Sequence, residues 1–386
     1  MIDLASIGVA PLAAASVAAA GLLQSAAGVA ALRRFQNRDP LPAGPMPPVT
    51  VLKPLYGDEA MLEAALASFC GQDYPCFQIV FGVQSAADPA LAVVERIRAR
   101  FPHREIDVVV DATRHGRNGK VGNLINMMRA ARHDILVIAD SDIHTPAETL
   151  RSVVGQLSQP GVGLVTALYT GLPPGRSSVG RIGAAHINRD FLPGTLLARA
   201  MGRQDCLGAI MALSRQTLER IGGFAALADH VADDALLGQL VRTLGLSVAL
   251  ADVVPATTVP ETTLSALYTH ELRWMRTVKS VAPVGFVLSS IQYPMVWALL
   301  MLALSGGDKW ALIAFAGAWL LRGILAHSLD RMLRISAPLT IWFVPLRDLL
   351  SVLVMVASYG SNRVAWRGQT HHVTSFSRAV LQPGKG

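Results

Sequence analysis

The chain has 386 residues, of which 52% are apolar and 16% charged, and its 34 Lys and Arg against 27 Asp and Glu give a formal net charge of +7. A mean hydropathy of +0.40 is too high for a wholly water-soluble enzyme and directs attention to membrane segments. Aromatic residues are 6% and no basic run is interleaved with them, which argues against a nucleic-acid partner and leaves lipid headgroups or the phosphates of a small ligand for the excess positive charge.

The first element is Ile7–Leu32, which carries no charge over more than the ~20 residues that a helix needs to cross a bilayer. Arg33, Arg34 and Arg38 come after it rather than before it, so residues 1–34 are expected to form a transmembrane anchor and not a signal peptide. The positive-inside rule then puts the N-terminus outside and the rest of the chain in the cytoplasm. Cys70, Cys76 and Cys206 make neither a CxxC pair nor an even framework and read as thiols. Residues 35–48, containing LPAGPMPP, form a stiff linker.

From Val49 the pattern alternates. VTVLK, FQIVFGV, IDVVV, ILVIAD and VGLVTA are near-continuous apolar runs, and between them stand amphipathic stretches at Glu59–Cys70, Ala90–Arg100, Lys120–Ala131 and Ala147–Leu157. Such alternation predicts α/β architecture with a mainly parallel, Rossmann-like sheet over residues 49–280 and a ligand site at the C-terminal ends of its strands. Past Tyr169 the alternation is lost; residues 173–203 mix arginines with small apolar residues and read as an amphipathic interfacial segment, with His186 a surface residue of no assigned role. Residues 281–360 are expected to be a membrane region. Val281–Leu304 and Trp310–His327 form a hairpin of two spans, while Ala337–Tyr359, interrupted by Pro345, Arg347 and Asp348, either spans or re-enters. Arg347 and Asp348 are expected to neutralise each other there. A polar basic tail, 361–386, carries Arg363, Arg367 and Arg378.

The chemistry is concentrated at strand ends. ILVIADSDI closes a buried run with Asp140 and Asp142, and paired hard oxygens at that edge suit Mg²⁺ or Mn²⁺ already carrying phosphate. Lys53 ends the first strand, Asp88-Pro89 comes after the second, Lys120 and Asn123 open the helix before the D-x-D, and Asp233-Asp234 opens a helix further on. A hydroxyl is a poor nucleophile, and a carboxylate at such an edge suits taking its proton as it attacks. Asp233 has a second reading, as a helix cap.

This order of motifs resembles a membrane-bound inverting GT-A glycosyltransferase. KPL, SFCGQDYP, VFGV, ADPA, KVGNLINMM, IADSDI, IGGF, ADDALLG and HELRWMRT are similar to the ceramide glucosyltransferase family, family 21, most closely to its bacterial hopanoid-biosynthesis branch. The resemblance implies a multi-pass protein of the bacterial inner membrane that transfers a sugar from UDP-N-acetylglucosamine or UDP-glucose to a bacteriohopanetetrol-type hopanoid or a ceramide. It implies that Asp88 holds the uridine, that Lys53, Lys120, Asn123 and Asp140 lie near the nucleotide sugar, and that Asp140 and Asp142 bind the metal. Asp234 would be the catalytic base, with Arg273 and Trp274 closing over the diphosphate and acceptor entrance. His270 stands where the family has Gln or Arg. A processive polysaccharide synthase shares this motif set, and a catalytically inactive membrane scaffold is the non-enzymatic alternative. Oligomeric state is not readable from these motifs.

Overall fold

The computed structural model describes residues 8–39, 41, 44–175, 177–361, 363–366 and 369–372. The chain divides into two compact units, one of residues 38–174 and 202–260, the other of 1–37, 175–201 and 261–386.

The first unit is the expected α/β body. Its strands are β1 (Val49–Pro54), β2 (Phe77–Val83), β3 (Glu105–Val110), β4 (Ile135–Ala139), β5 (Ile143–His144), β6 (Val162–Thr166), β7 (Thr170–Leu172), β8 (Ile210–Ser214), β9 (Ser247–Leu250) and β10 (Ala256–Thr258). Seven of them form one sheet in the order β3-β2-β1-β4-β8-β6-β9. β1 pairs in parallel with both β2 and β4, and every residue of β1 and β2 is buried, as a strand covered on both faces requires. β8 runs antiparallel to its neighbours β4 and β6, an insertion that the apolar alternation did not announce. A small second sheet, β5-β10-β7, forms just beyond the end of β4.

The helices keep their predicted places: Ala90–Arg100 has the expected bounds, Leu62–Cys70 and Thr149–Leu157 start late, and Gly119–Met127 starts one residue early and ends short of Ala131. Leu62–Cys70 starts three residues after Glu59 because Met61 adopts a left-handed backbone, φ 61°, immediately before it. Gly119–Met127 begins at Asn118, whose side chain accepts from Val121 N–H and caps the first turn.

The second unit is helical apart from an antiparallel strand pair, Arg363–Trp366 with Gln369–His372. Val9–Gln36, Lys309–Met332 and Ile341–Gly360 are each long and apolar enough to cross a bilayer. The expected continuous span Val281–Leu304 is instead broken into Pro283–Gln292 and Pro294–Leu304, bent by 68°. Pro294 is the cause: it has no N–H for the preceding turn and disfavours helical backbone at Tyr293, which sits at φ −107°, ψ 64°. Residues 178–200 form a helix, Ser178–His186, a π-helical turn, Ile187–Phe191, and a second helix, Leu192–Ala200. His186, Arg189 and Asp190 are buried rather than on the surface. Val9–Gln36 packs on this segment through Gly28, where a Cβ would come within 2.8 Å of Pro193. Of the expected basic tail, Arg367 and Arg378 lie outside the described residues, as do all of 373–386.

Candidate active site

The site is built on the first unit, where four chain segments end at one edge of the sheet. β4 leads straight into Asp140. The small sheet anchors Asp142 just beyond it, because Thr258 N–H donates to Asp142 O at 3.1 Å and Thr257 Oγ1 to Asp142 Oδ2 at 2.6 Å. Burial raises the Asp142 carboxyl above its ordinary range, and the Asp140 charge raises it further. Two hard-oxygen side chains that repel each other in this way suit a divalent cation, which would relieve the repulsion. Among the described residues no three His, Cys, Asp or Glu side chains cluster to hold a metal unaided. Asp140 and Asp142 fit an ion that takes its remaining ligands from water and phosphate.

Lys53, at the end of β1, is fully buried. Its ammonium lies 3.9 Å from the centre of the Phe69 ring and donates to Asp140 O at 2.7 Å. Burial drives it down to about 7, against the pull of Asp142, Asp140 and Glu59. Lys120 behaves oppositely. Burial lowers it too, but Asp140 Oδ1 at 2.6 Å and Asp233 Oδ2 at 3.5 Å more than offset that, so its charge is secured above the ordinary lysine range.

Asp233 and Asp234 open the helix Asp233–Thr243, and their surroundings separate them. Asp233 is buried and held by Lys120 and by Asn118 Nδ2 at 3.3 Å. Asp234 is half-buried and accepts from Ala235 N–H at 2.8 Å. Burial and the Asp233 charge push Asp234 up to about 6, although Lys120 and the helix N-terminus favour its ionised form. Gly208 keeps the approach to it open, since a Cβ there would sit 3.1 Å from Asp234 Oδ2.

The structure therefore brings Lys53, Lys120, Asp140, Asp142, Asp233 and Asp234 together. Asp88 has a local task as well, accepting from Gly57 N–H and Ala90 N–H, both at 2.9 Å, so that it ties the loop after β1 to the helix Ala90–Arg100. Asn123 turns its amide to Gly82 O at 2.7 Å and braces its helix on β2. Arg273 and Trp274 lie in the second unit, on the helix Leu264–Val281. There Arg347 and Asp348 do not neutralise each other: Arg347 pairs with Glu271 and Asp348 with Arg322, because adjacent residues on a helix point in different directions.

Sequence reasoning missed Asn118, which caps one helix and donates to His230 O at 2.7 Å as well as to Asp233. Its only local signal was an Asn ahead of GKVGNL, the ordinary cap preference. Thr257 was missed for want of any motif.

Comparison with known proteins bears on the family and the fold. A family model described as "Glycosyl transferase family 21" matches residues 13–379. A ceramide glucosyltransferase of Komagataella phaffii is 32% identical over 133 residues, covering 33% of this chain and 26% of that protein. Ceramide glucosyltransferase 1 of Caenorhabditis elegans is 24% identical over 261 residues, covering 66% of this chain and 55% of that protein. The chain thus spans between about a quarter and about half of the length of these relatives. Among solved structures, the mannosyltransferase PcManGT from Pyrobaculum calidifontis in complex with GDP-Man and Mn²⁺ superposes with a TM-score of 0.51 at 23% identity, over 89% of this chain and 99% of that one, a likeness of fold. The fold is GT-A, and the chain belongs to glycosyl transferase family 21.

Proposed function

We propose that this chain is an inverting glycosyltransferase of the membrane, moving a sugar from a UDP-sugar to the hydroxyl of a membrane lipid. The observation that carries the reading is Asp234: a half-buried carboxylate, raised to about 6, set beside a lysine-buttressed D-x-D. A base poised there is deprotonated at neutral pH yet basic enough to accept a proton in the transition state.

In a single displacement the lipid oxygen attacks the anomeric carbon as its proton passes to an Asp234 oxygen. The bond from that carbon to the diphosphate oxygen breaks, and attack from the opposite face turns an α-linked donor into a β-glycoside. Lys120, held cationic, stands where charge develops on the departing diphosphate, and Lys53 fixes the Asp140 main chain. A Mg²⁺ or Mn²⁺ on Asp140 and Asp142 would supply further charge neutralisation when bound. Asp233, locked by Lys120 and Asn118, is assigned to the frame and Asp234 to the proton. Asp88 keeps its place at the uridine end, Asn123 braces the helix of Lys120, and Arg273 and Trp274 keep the role expected from their motif.

The relatives named as ceramide glucosyltransferases support glucose onto a sphingoid hydroxyl; the hopanoid resemblance supports N-acetylglucosamine onto a polyol side chain. The arginines after the first helix support a cytoplasmic GT-A unit, and the hopanoid resemblance supports a bacterial inner membrane. The test is turnover by the full chain in detergent, offered UDP-glucose or UDP-N-acetylglucosamine with ceramide or bacteriohopanetetrol, and mass spectrometry of the product. A β-glycolipid from the wild type, falling on the order of 10²–10⁴-fold in Asp234→Asn, is the expected result. Extension of a soluble oligosaccharide by many units with lipids ignored would instead identify a processive synthase. No product with any acceptor would point to a scaffold.

A further inference from the structure

Within the helical unit, the half-buried Trp274 meets one end of a circuit of contacts that no motif announces. Glu271, one turn before it on the same helix, is 3% exposed, and its two oxygens accept from Arg347 at 2.8 and 2.7 Å. Arg347 also donates to the fully buried Ser351 Oγ at 2.7 Å. The next residue, Asp348, accepts from Met295 N–H at 3.1 Å, the amide left without a helical partner by the break at Pro294. Asp348 stands 3.5 Å from Arg322, which donates to Asp190 and to Ser25 Oγ, the latter at 3.2 Å. Asp190 belongs to the π-helical turn, and its neighbour Phe191 stacks on Trp274, with ring centroids 5.7 Å apart and planes at 29°. His186, 3.6 Å from Asp190, lies 6.4 Å from the same indole.

The path leaves the helix of Trp274 at Glu271 and returns to it at the indole, through Arg347, Asp348, Arg322 and Asp190. Every charge in it is buried. A buried charge without its partner is strongly unfavourable, and a two-pronged guanidinium–carboxylate pair fixes angle as well as distance. Each helix can therefore hold only the rotation that keeps its pair. A π-turn is a local widening of the helix, and here it lets Asp190 meet Arg322 while the adjacent Phe191 meets Trp274.

We infer that this ion-pair circuit is a positioning device for Trp274, with Arg347 and Arg322 as its two positioning residues. Its bearing on turnover rests on the glycosyltransferase reading above; the placement of the indole does not. The test is near-UV circular dichroism of the full chain in detergent, taking as the Trp274 band the difference between wild type and Trp274→Phe. Arg347→Lys and Arg322→Lys each keep the charge and lose the fork. Each is expected to lose at least about half of that band, with far-UV signal and elution volume unchanged. In an active preparation kcat falls roughly ten-fold while KM for the UDP-sugar holds. If either variant fails to fold, the neutral pair Glu271→Gln/Arg347→Met decides, because it leaves no charge stranded: loss of the band supports the circuit. A band retained in either folded single variant, or in that pair, overturns it. A band that disappears in preparations where the wild type itself shows no turnover upholds the circuit and removes the enzymatic reading.

Discussion

Asp233 and Asp234 are adjacent in sequence and share a helix N-terminus, yet their partners give them different work. Asp233 faces Lys120 and Asn118, whereas Asp234 is left with its own helix amide and the open side of Gly208. Deprotonated Asp234 is the active form in the proposed mechanism. With its carboxyl raised to about 6, kcat/KM is expected to be level at neutral pH and to fall as pH drops through that value. A pH–rate profile with no acid limb near there would contradict the assignment. Lys120 lowers Asp234, so Lys120→Met is expected to move the limb toward neutrality. The same change strands two carboxylates. It should therefore reduce stability by roughly 2–3 kcal/mol, less than for a fully buried pair because the Asp140 side chain stays 35% exposed, as thermal unfolding in detergent would show.

Among elements, the helix Gly119–Met127 is tied at its start to the loop that leads into Asp233, through one side chain, Asn118. Asn118→Ala removes the cap and both donated bonds, an expected loss of about 1 kcal/mol for the cap alone. Asn118→Asp keeps an acceptor for Val121 N–H but sets a carboxylate oxygen where Nδ2 met His230 O and Asp233 Oδ1, so it should be less stable than Ala and push the acid limb higher; an Asp variant as stable as the wild type would show that the two donated bonds contribute nothing. The strands and their helices were legible in the sequence because apolar runs and helical periodicity are local signals, and the D-x-D was legible because it interrupts such a run at a strand end. β8 was not, since Ile210–Ser214 reads as any short apolar stretch and only its pairing with β4 and β6 makes it the antiparallel member of the sheet. The straight span over Val281–Leu304 was misread for a different reason. Hydropathy sums composition and gives no weight to Pro294, which decides the backbone.

For the whole molecule, the helical unit displays large apolar side chains in number, among them Leu23, Val284, Ile313, Leu320, Leu353 and Val356, each more than half exposed. Water would not tolerate such a surface on a stable monomer, and a bilayer would. The protein is accordingly expected to stay with the membrane fraction through a carbonate wash at high pH and to be released by detergent; release by salt alone would mean that it lies on the surface. Arg322, Arg347, Asp190 and Asp348 show the limit of reading such a unit from sequence. Each is visible as a charge in apolar text, but its partner is far along the chain, and for Arg347 and Asp348 a false partner stands next door.

The notch at Gly28 has a consequence for how the protein is made. Val9–Gln36 leaves the ribosome long before Pro294–Leu304 and Lys309–Met332, yet it packs against both. At ordinary rates of translation that interval is about 15–50 s. For that time Val9–Gln36 stands without these neighbours, while the α/β body is synthesised and free to fold as a unit of its own.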